Sequence, residues 1–117
     1  MQVLPLTLQK KPFDVMITGE KQIEVREPSQ WVLSRVQKLK VGSHIKFIHG
    51  YGGDKPYFIA VFLGFKRHHG PATVWRYSNG LNVTVRPGSV LIQLGEIVQV
   101  GNLPANLLPG LEKVPHA

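Results

Sequence analysis

The chain has 117 residues, with 14 Lys and Arg against 7 Asp and Glu, and a formal net charge of +7. That length fits one domain, which buries roughly two thirds of the unfolded chain's surface and so holds a core without staples. The absence of cysteine excludes disulfides and thiolate metal sites. With no run of ~20 apolar residues and no signal-peptide pattern, it leads us to expect a soluble cytoplasmic protein with no membrane contact.

"VLPLTL" at the start reads as a strand, with Pro5 marking an edge or a bulge. "KKPFDVMITGEK" then reads as a short helix: Pro12 suits its first turn, Phe13, Met16 and Ile17 fall on one face, and Gly19 sits where the helix would close. "KQIEVR" alternates Ile23 and Val25 with polar neighbours, as a half-buried strand does. "EPSQWVLSRVQKLKVGS" predicts a second helix, with Trp31, Val32, Arg35, Val36 and Leu39 along one face and Gly42 closing it.

"HIKFIHG" is a strand with Ile45, Phe47 and His49 on one side. "YGGDKP" is a turn-rich loop, mobile and able to cover a ligand with Tyr51, Asp54 and Lys55. "YFIAVFLGFK" is apolar on both faces, as a central strand would be. "TVWRYSNGLNVTVRPG" reads as a hairpin around Asn79-Gly80 in a type I′ turn. "SVLIQLGEIVQV" is the last strand, with a bulge expected at Gly95. The expected division is a domain over residues 1–100 and a proline-containing tail over 101–117. The fold class expected is α+β: a small mixed β-barrel of about five to six strands, with two short helices near its ends.

Charge directs attention to an anionic partner, of which nucleic acid is the commonest. Only 18% of residues are charged, so binding would fall to a folded surface. "GEKQIEVRE" is the densest candidate. Alternation places Gln22, Glu24 and Arg26 on one face and turns Ile23 and Val25 into the core. Glu24 and Arg26 then lie about 6.5 Å apart along the strand. Lys21 falls on the apolar side by strict alternation, but it follows the Gly19 turn. If a bulge turns it round, Lys21, Glu24 and Arg26 converge on the mouth between the first helix and the barrel. The competing reading is a solvated face carrying an incidental ion pair worth little.

"LTLQKKPFDVMITGEKQIEVREPSQW" resembles the opening of an ASCH domain, a branch of the PUA-like barrels. The family's mark is a Gly-x-Lys-x-x-x-x-Arg run after a short helix, commonly with an internal Glu. Gly19, Lys21, Glu24 and Arg26 match it, and Glu20 fills the variable slot. "KVGSHIKFIHG" is similar to the family's step into the next strand, with Ser43 where Asp is usual. The likeness is sharp over residues 6–48, looser through residues 57–66 and absent from the tail.

The resemblance implies a PUA-like β-barrel whose cleft is lined by the motif residues, and an RNA-binding or nucleoside-binding role. Some members are amidohydrolases acting on acylated cytidine, using a Lys, a Thr three residues later and a separate Glu. Here Lys21 matches, but Glu24 stands in the Thr position, and Glu96 is the sole acid between Asp54 and Glu112. Another branch is a ribonuclease with Ser or Tyr partners, which have no evident counterparts here. If the chain is an enzyme, it would be a hydrolase with Lys21 and Glu24 as the catalytic pair. Arg26 beside Glu24 keeps that carboxylate ionised, however, which favours holding a base edge over transferring a proton.

The hairpin offers a second surface. In a two-residue turn, Trp75, Tyr77, Asn82, Thr84 and Arg86 would share one face, combining rings with amide and guanidinium groups as single-stranded nucleic acid binding does. The competing reading is that Trp75 and Tyr77 simply cover the barrel. His44, His49, His68 and His69 have no carboxylate or thiolate at ligand spacing, so neither a metal nor any other cofactor is expected. "GYGGDKP" lacks the Gly-Lys-Ser/Thr ending of a phosphate loop. Three readings remain: RNA or a modified nucleoside bound at Lys21, Glu24 and Arg26, with Trp75, Tyr77 and Arg86 assisting; a hydrolase of the same fold; and a protein-interaction module working through its tail.

Overall fold

The structure is a computed structural model, and it describes residues 3–104. Nine elements follow one another: β1 (Val3–Leu8), α1 (Lys10–Ile17), β2 (Ile23–Arg26), α2 (Gln30–Val36), β3 (His44–His49), β4 (Tyr57–Arg67), β5 (Thr73–Arg76), β6 (Asn82–Val85) and β7 (Val90–Gly101). They form a small mixed α+β fold: a five-stranded sheet in the order β1-β3-β4-β7-β2, a separate ribbon of β5 and β6, and two helices. β1 runs parallel to β3, and the remaining pairs are antiparallel. No helix of the described residues is long and apolar enough to cross a membrane. Of the tail expected over 101–117, residues 105–117 lie outside the described residues.

The helices form for local reasons. In α1, Phe13, Val15, Met16 and Ile17 are buried against the sheet. Gly19 follows the helix at φ +87°, a conformation that costs glycine least, and its N–H returns to Met16 O at 3.1 Å. Ser29 caps α2, its hydroxyl accepting from Val32 N at 3.1 Å. This helix is shorter than expected and turns a different face inward. Val32 and Val36 are buried, while Trp31 is 47% exposed and carries the Arg35 guanidinium 4.0 Å from its ring centroid. An arginine lying on an aromatic face can stay solvated, so the pair sits outside.

β4 is the central strand, as its two apolar faces predict, with Phe58, Ala60 and Phe62 inside. Its ladder with β7 shifts register where Gly95 and Glu96 oppose the single residue Val61, which is the expected bulge. The core gathers Phe13, Ile17, Ile45, Phe47, Phe58, Phe62 and Ile92.

The sheet is not closed into a barrel by hydrogen bonding: β1 and β2 are its two free edges. Closure stops short because β2 has only four residues and its ladder is entirely with β7. What spans the gap is a side chain, since Arg26 Nη2 on β2 donates to Thr7 O on β1 at 2.9 Å.

Candidate functional site

Alternation along β2 is real, but its phase is opposite to the expectation. Glu24 is buried at 6% exposure, and Lys21 at 2%, while Ile23 and Val25 are only half-buried. The reason is tertiary. Glu24 stands opposite Ile92, an inward residue of β7, whereas Val25 faces outward into a groove shared with Val83 and Thr84 of the ribbon. The outer face of β2 is thus partly covered by the hairpin, so its apolar residues need not enter the main core.

A buried carboxylate is tolerated only when it is paired and hydrogen-bonded. Glu24 Oε1 accepts from Lys21 Nζ at 2.8 Å and Oε2 accepts from Arg26 Nε at 2.9 Å. Lys21 reaches this position because its backbone N–H donates to Val15 O at 3.2 Å, which folds the strand entry back onto α1. Its ammonium also donates to Ile23 O at 2.7 Å and lies 3.6 Å from Met16 Sδ. The three donors of Lys21 are therefore all engaged. No buried side-chain polar atom among the described residues lacks a partner.

The trio faces two hollows, and its carboxylate and guanidinium share the larger one. Glu24 and Arg26 line a cleft of about 610 Å³ at the C-terminal ends of β1, β2 and β3, together with Gln9, Lys10, His49 and Tyr51. Lys21 is absent from that lining and instead borders a smaller hollow of about 250 Å³ beside Met16, Phe58 and Leu94. The Lys21–Glu24 pair is the partition between the two. Each carboxylate oxygen has two acceptor directions and uses one for its cation. Arg26 commits Nε and Nη2, and Nη1 makes no hydrogen bond with the described residues. The cleft thus offers a carboxylate and a guanidinium edge side by side, with a net positive charge across the trio.

Tyr51 stands at the lip of this cleft with 84% of its surface exposed. The sequence marks it only as part of a glycine-rich loop; it has no periodic pattern to show that the loop returns to the β2 motif. His49 also lines the cleft, its ring packed 5.9 Å from that of Phe13. Among the described residues no group of three or more His, Asp or Glu could hold a metal ion.

The hairpin corrects the second candidate surface. Trp75 pairs with Val83 and Arg76 with Asn82, one residue out of the expected register. Asn79 does not adopt positive φ, but Gly80 does at +86°. Gly80 N donates to Tyr77 O at 3.1 Å and Tyr77 N to Leu81 O at 2.9 Å. This is a three-residue loop ending in a left-handed glycine, not a type I′ turn. One step of register moves every partner to the other face. Trp75 and Tyr77 therefore share the inward side with Val83 and Val85, while Val74, Asn82 and Thr84 face out. Trp75, Tyr77 and Arg86 do not form one stacking surface.

The six candidates thus divide. Lys21, Glu24 and Arg26 come together. Tyr77 approaches them: burial raises its phenol above the usual value, and the carboxylates of Glu20 and Glu24 add to the effect. Trp75, on the inward side of the ribbon, is half-buried. Arg86 lies outside the cleft, in a groove of about 290 Å³ on the far side of β2.

Glu20, which sits in the motif's variable slot, has a role its sequence does not announce. Its carboxylate accepts from Ser78 N at 2.7 Å and from the Ser78 hydroxyl, while Asn79 Nδ2 donates to Lys11 O at 3.0 Å. Together they fasten the hairpin tip to α1 and the turn after it, and the two Ser78 bonds hold the Glu20 carboxyl below the ordinary carboxylate range. Comparison with protein-family models and with curated proteins returns no match for this chain.

Proposed function

We propose that this chain is a PUA-like ASCH domain protein, its sheet an incompletely closed barrel, that binds RNA or a modified nucleoside in the cleft lined by Glu24 and Arg26. The observation that carries this reading is the placement of Glu24. It is held between two cations yet still lines a cleft of about 610 Å³, within the range of small-ligand sites. An ionised carboxylate accepts an exocyclic amine such as cytosine N4, and Arg26 Nη1, which bonds to none of the described residues, can meet a neighbouring carbonyl. Tyr51 supplies a ring at the lip on which a base can stack. Lys21 acts from behind, fixing the carboxylate without touching the ligand.

The geometry favours binding over hydrolysis. A catalytic Lys21 would have to reach substrate, but its side chain is 1% exposed and its donors are spent on Glu24, Ile23 and Met16. Calorimetric titration with free nucleosides tests the reading. Cytidine should bind and uridine should bind at least tenfold more weakly, because O4 presents an acceptor to Glu24 where cytosine presents a donor. Equal affinity for the two, or no heat with either at millimolar concentration, would remove the proposal. Incubation with an acylated cytidine should leave the ester or amide intact.

A further inference from the structure

β2 ends as a ridge between two concavities, and Arg26 belongs to both. On one side is the cleft with Glu24; on the other is the groove of about 290 Å³ lined by Arg26, Glu27, Pro28, Thr84 and Arg86. The groove is richer in guanidinium than in carboxylate. Arg86 is exposed, and its side chain makes no hydrogen bond or ion pair with the described residues. Its backbone, in contrast, is fixed, since Arg86 N donates to the hydroxyl of Ser89 at 3.0 Å and Ser89 is buried. Arg67 comes in from β4: its Nε donates to Gly88 O at 2.8 Å. Gly88 lies between this guanidinium and the groove residue Pro28, since a Cβ built there would meet Arg67 Nη2 at 3.6 Å and Pro28 Cγ at 4.0 Å, but Arg67 itself does not line the groove. Glu27 is the one acid lining it.

We infer that this groove is a phosphodiester site, and that the natural ligand is a single-stranded nucleic acid chain rather than a free nucleoside. One base enters the cleft at Glu24, the chain crosses the end of β2 over Arg26, and the next phosphate settles against Arg86 in the groove. This rests on the base-binding reading of the cleft. Consecutive phosphates in a single strand are about 6–7 Å apart, more than the ~4.8 Å that one strand occupies across a sheet, so a ridge one strand wide can be straddled by one nucleotide. Guanidinium suits the task because its planar fork meets two phosphate oxygens at once. Duplex is disfavoured, because its bases are not free to enter a cleft.

The test compares cytidine with short cytidine-containing RNA oligonucleotides on the full chain, by calorimetry and by fluorescence anisotropy over a salt series. A dinucleotide or trinucleotide should bind at least tenfold more tightly than cytidine. Arg86→Ala should cut oligonucleotide affinity by about tenfold and lower the magnitude of the salt slope by about 0.7, the value for one phosphate contact on a single strand. Glu27→Gln should move oligonucleotide affinity the other way, which a loss of folding cannot do.

If cytidine binds and oligonucleotides bind no better, or if Arg86→Ala leaves both affinity and salt slope unchanged, the groove is not a phosphate site and the cleft reading stands alone. If cytidine does not bind at millimolar concentration, the cleft reading falls and takes this inference with it, whatever the oligonucleotides do. Tighter binding of duplex than of single strand would also overturn it.

Discussion

β2 and the β5–β6 hairpin carry similar mixtures of branched apolar, polar and charged residues, but they bury opposite halves of their patterns. In β2 Glu24 goes in, while Ile23 and Val25 stay half-exposed; in the hairpin Val83 and Val85 go in and Asn82 and Thr84 face out. The difference lies in the partners. Glu24 has a cation on each oxygen, and Arg26 has a backbone carbonyl across the open seam. Among the described residues the side chains of Asn82 and Thr84 have no such partners, and both are exposed. A strand can turn its ionised side inward where the surroundings supply every hydrogen bond, and the resulting face is a place to recognise a ligand.

The largest effect should come from breaking the centre of the trio. Glu24→Ala leaves the Lys21 ammonium at 1% exposure with no counter-charge, and urea unfolding should show a loss of about 3–5 kcal/mol. Lys21→Met, which removes that ammonium and keeps its volume, should cost visibly less; an equal cost would mean that charge balance is not what holds the partition. Arg26→Lys should lose about 1.5–3 kcal/mol, because an ammonium cannot reach Glu24 and Thr7 O together in the fork geometry.

Tyr51→Ala probes binding apart from folding. At 84% exposure the ring contributes little to stability, so the melting temperature should hold while cytidine affinity falls by about 1–3 kcal/mol. An unchanged affinity would take Tyr51 out of the site. The hairpin register is tested by paired substitutions on β5: Trp75→Thr should cost about 1 kcal/mol or more and Val74→Thr should be near neutral, as an inward and an outward position demand. The reverse order would restore the two-residue turn.

The smallest effect concerns the latch at the hairpin tip. The folded Glu20 carboxyl lies below its ordinary range because Ser78 donates to its charged form. Its contribution is therefore complete above the ordinary carboxylate value and disappears as pH falls through the lowered one. The Ser78 amide resonance should titrate with an apparent pKa below that of an unperturbed glutamate, and Glu20→Gln should abolish the titration while leaving the core intact.

Much was legible along the chain. The order of elements, the Gly19 helix stop, the central place of β4, the Gly95 bulge and the approximate position of the hairpin follow from periodicity and turn chemistry, which act over a few residues. The convergence of Lys21, Glu24 and Arg26 was legible as a condition, dependent on how the Gly19 turn directs Lys21. Tyr51 and Arg86 were visible as residue types, but not as neighbours of the two sides of one strand.

Only the tertiary structure decided which phase of β2 faces inward, how the hairpin is registered and where the sheet stops short of closing. Alternation has a period of two and two equally valid phases. What lies above and below the strand chooses between them, and those neighbours come from distant parts of the chain: Ile92 and Thr7 on one side, Val83 and Thr84 on the other.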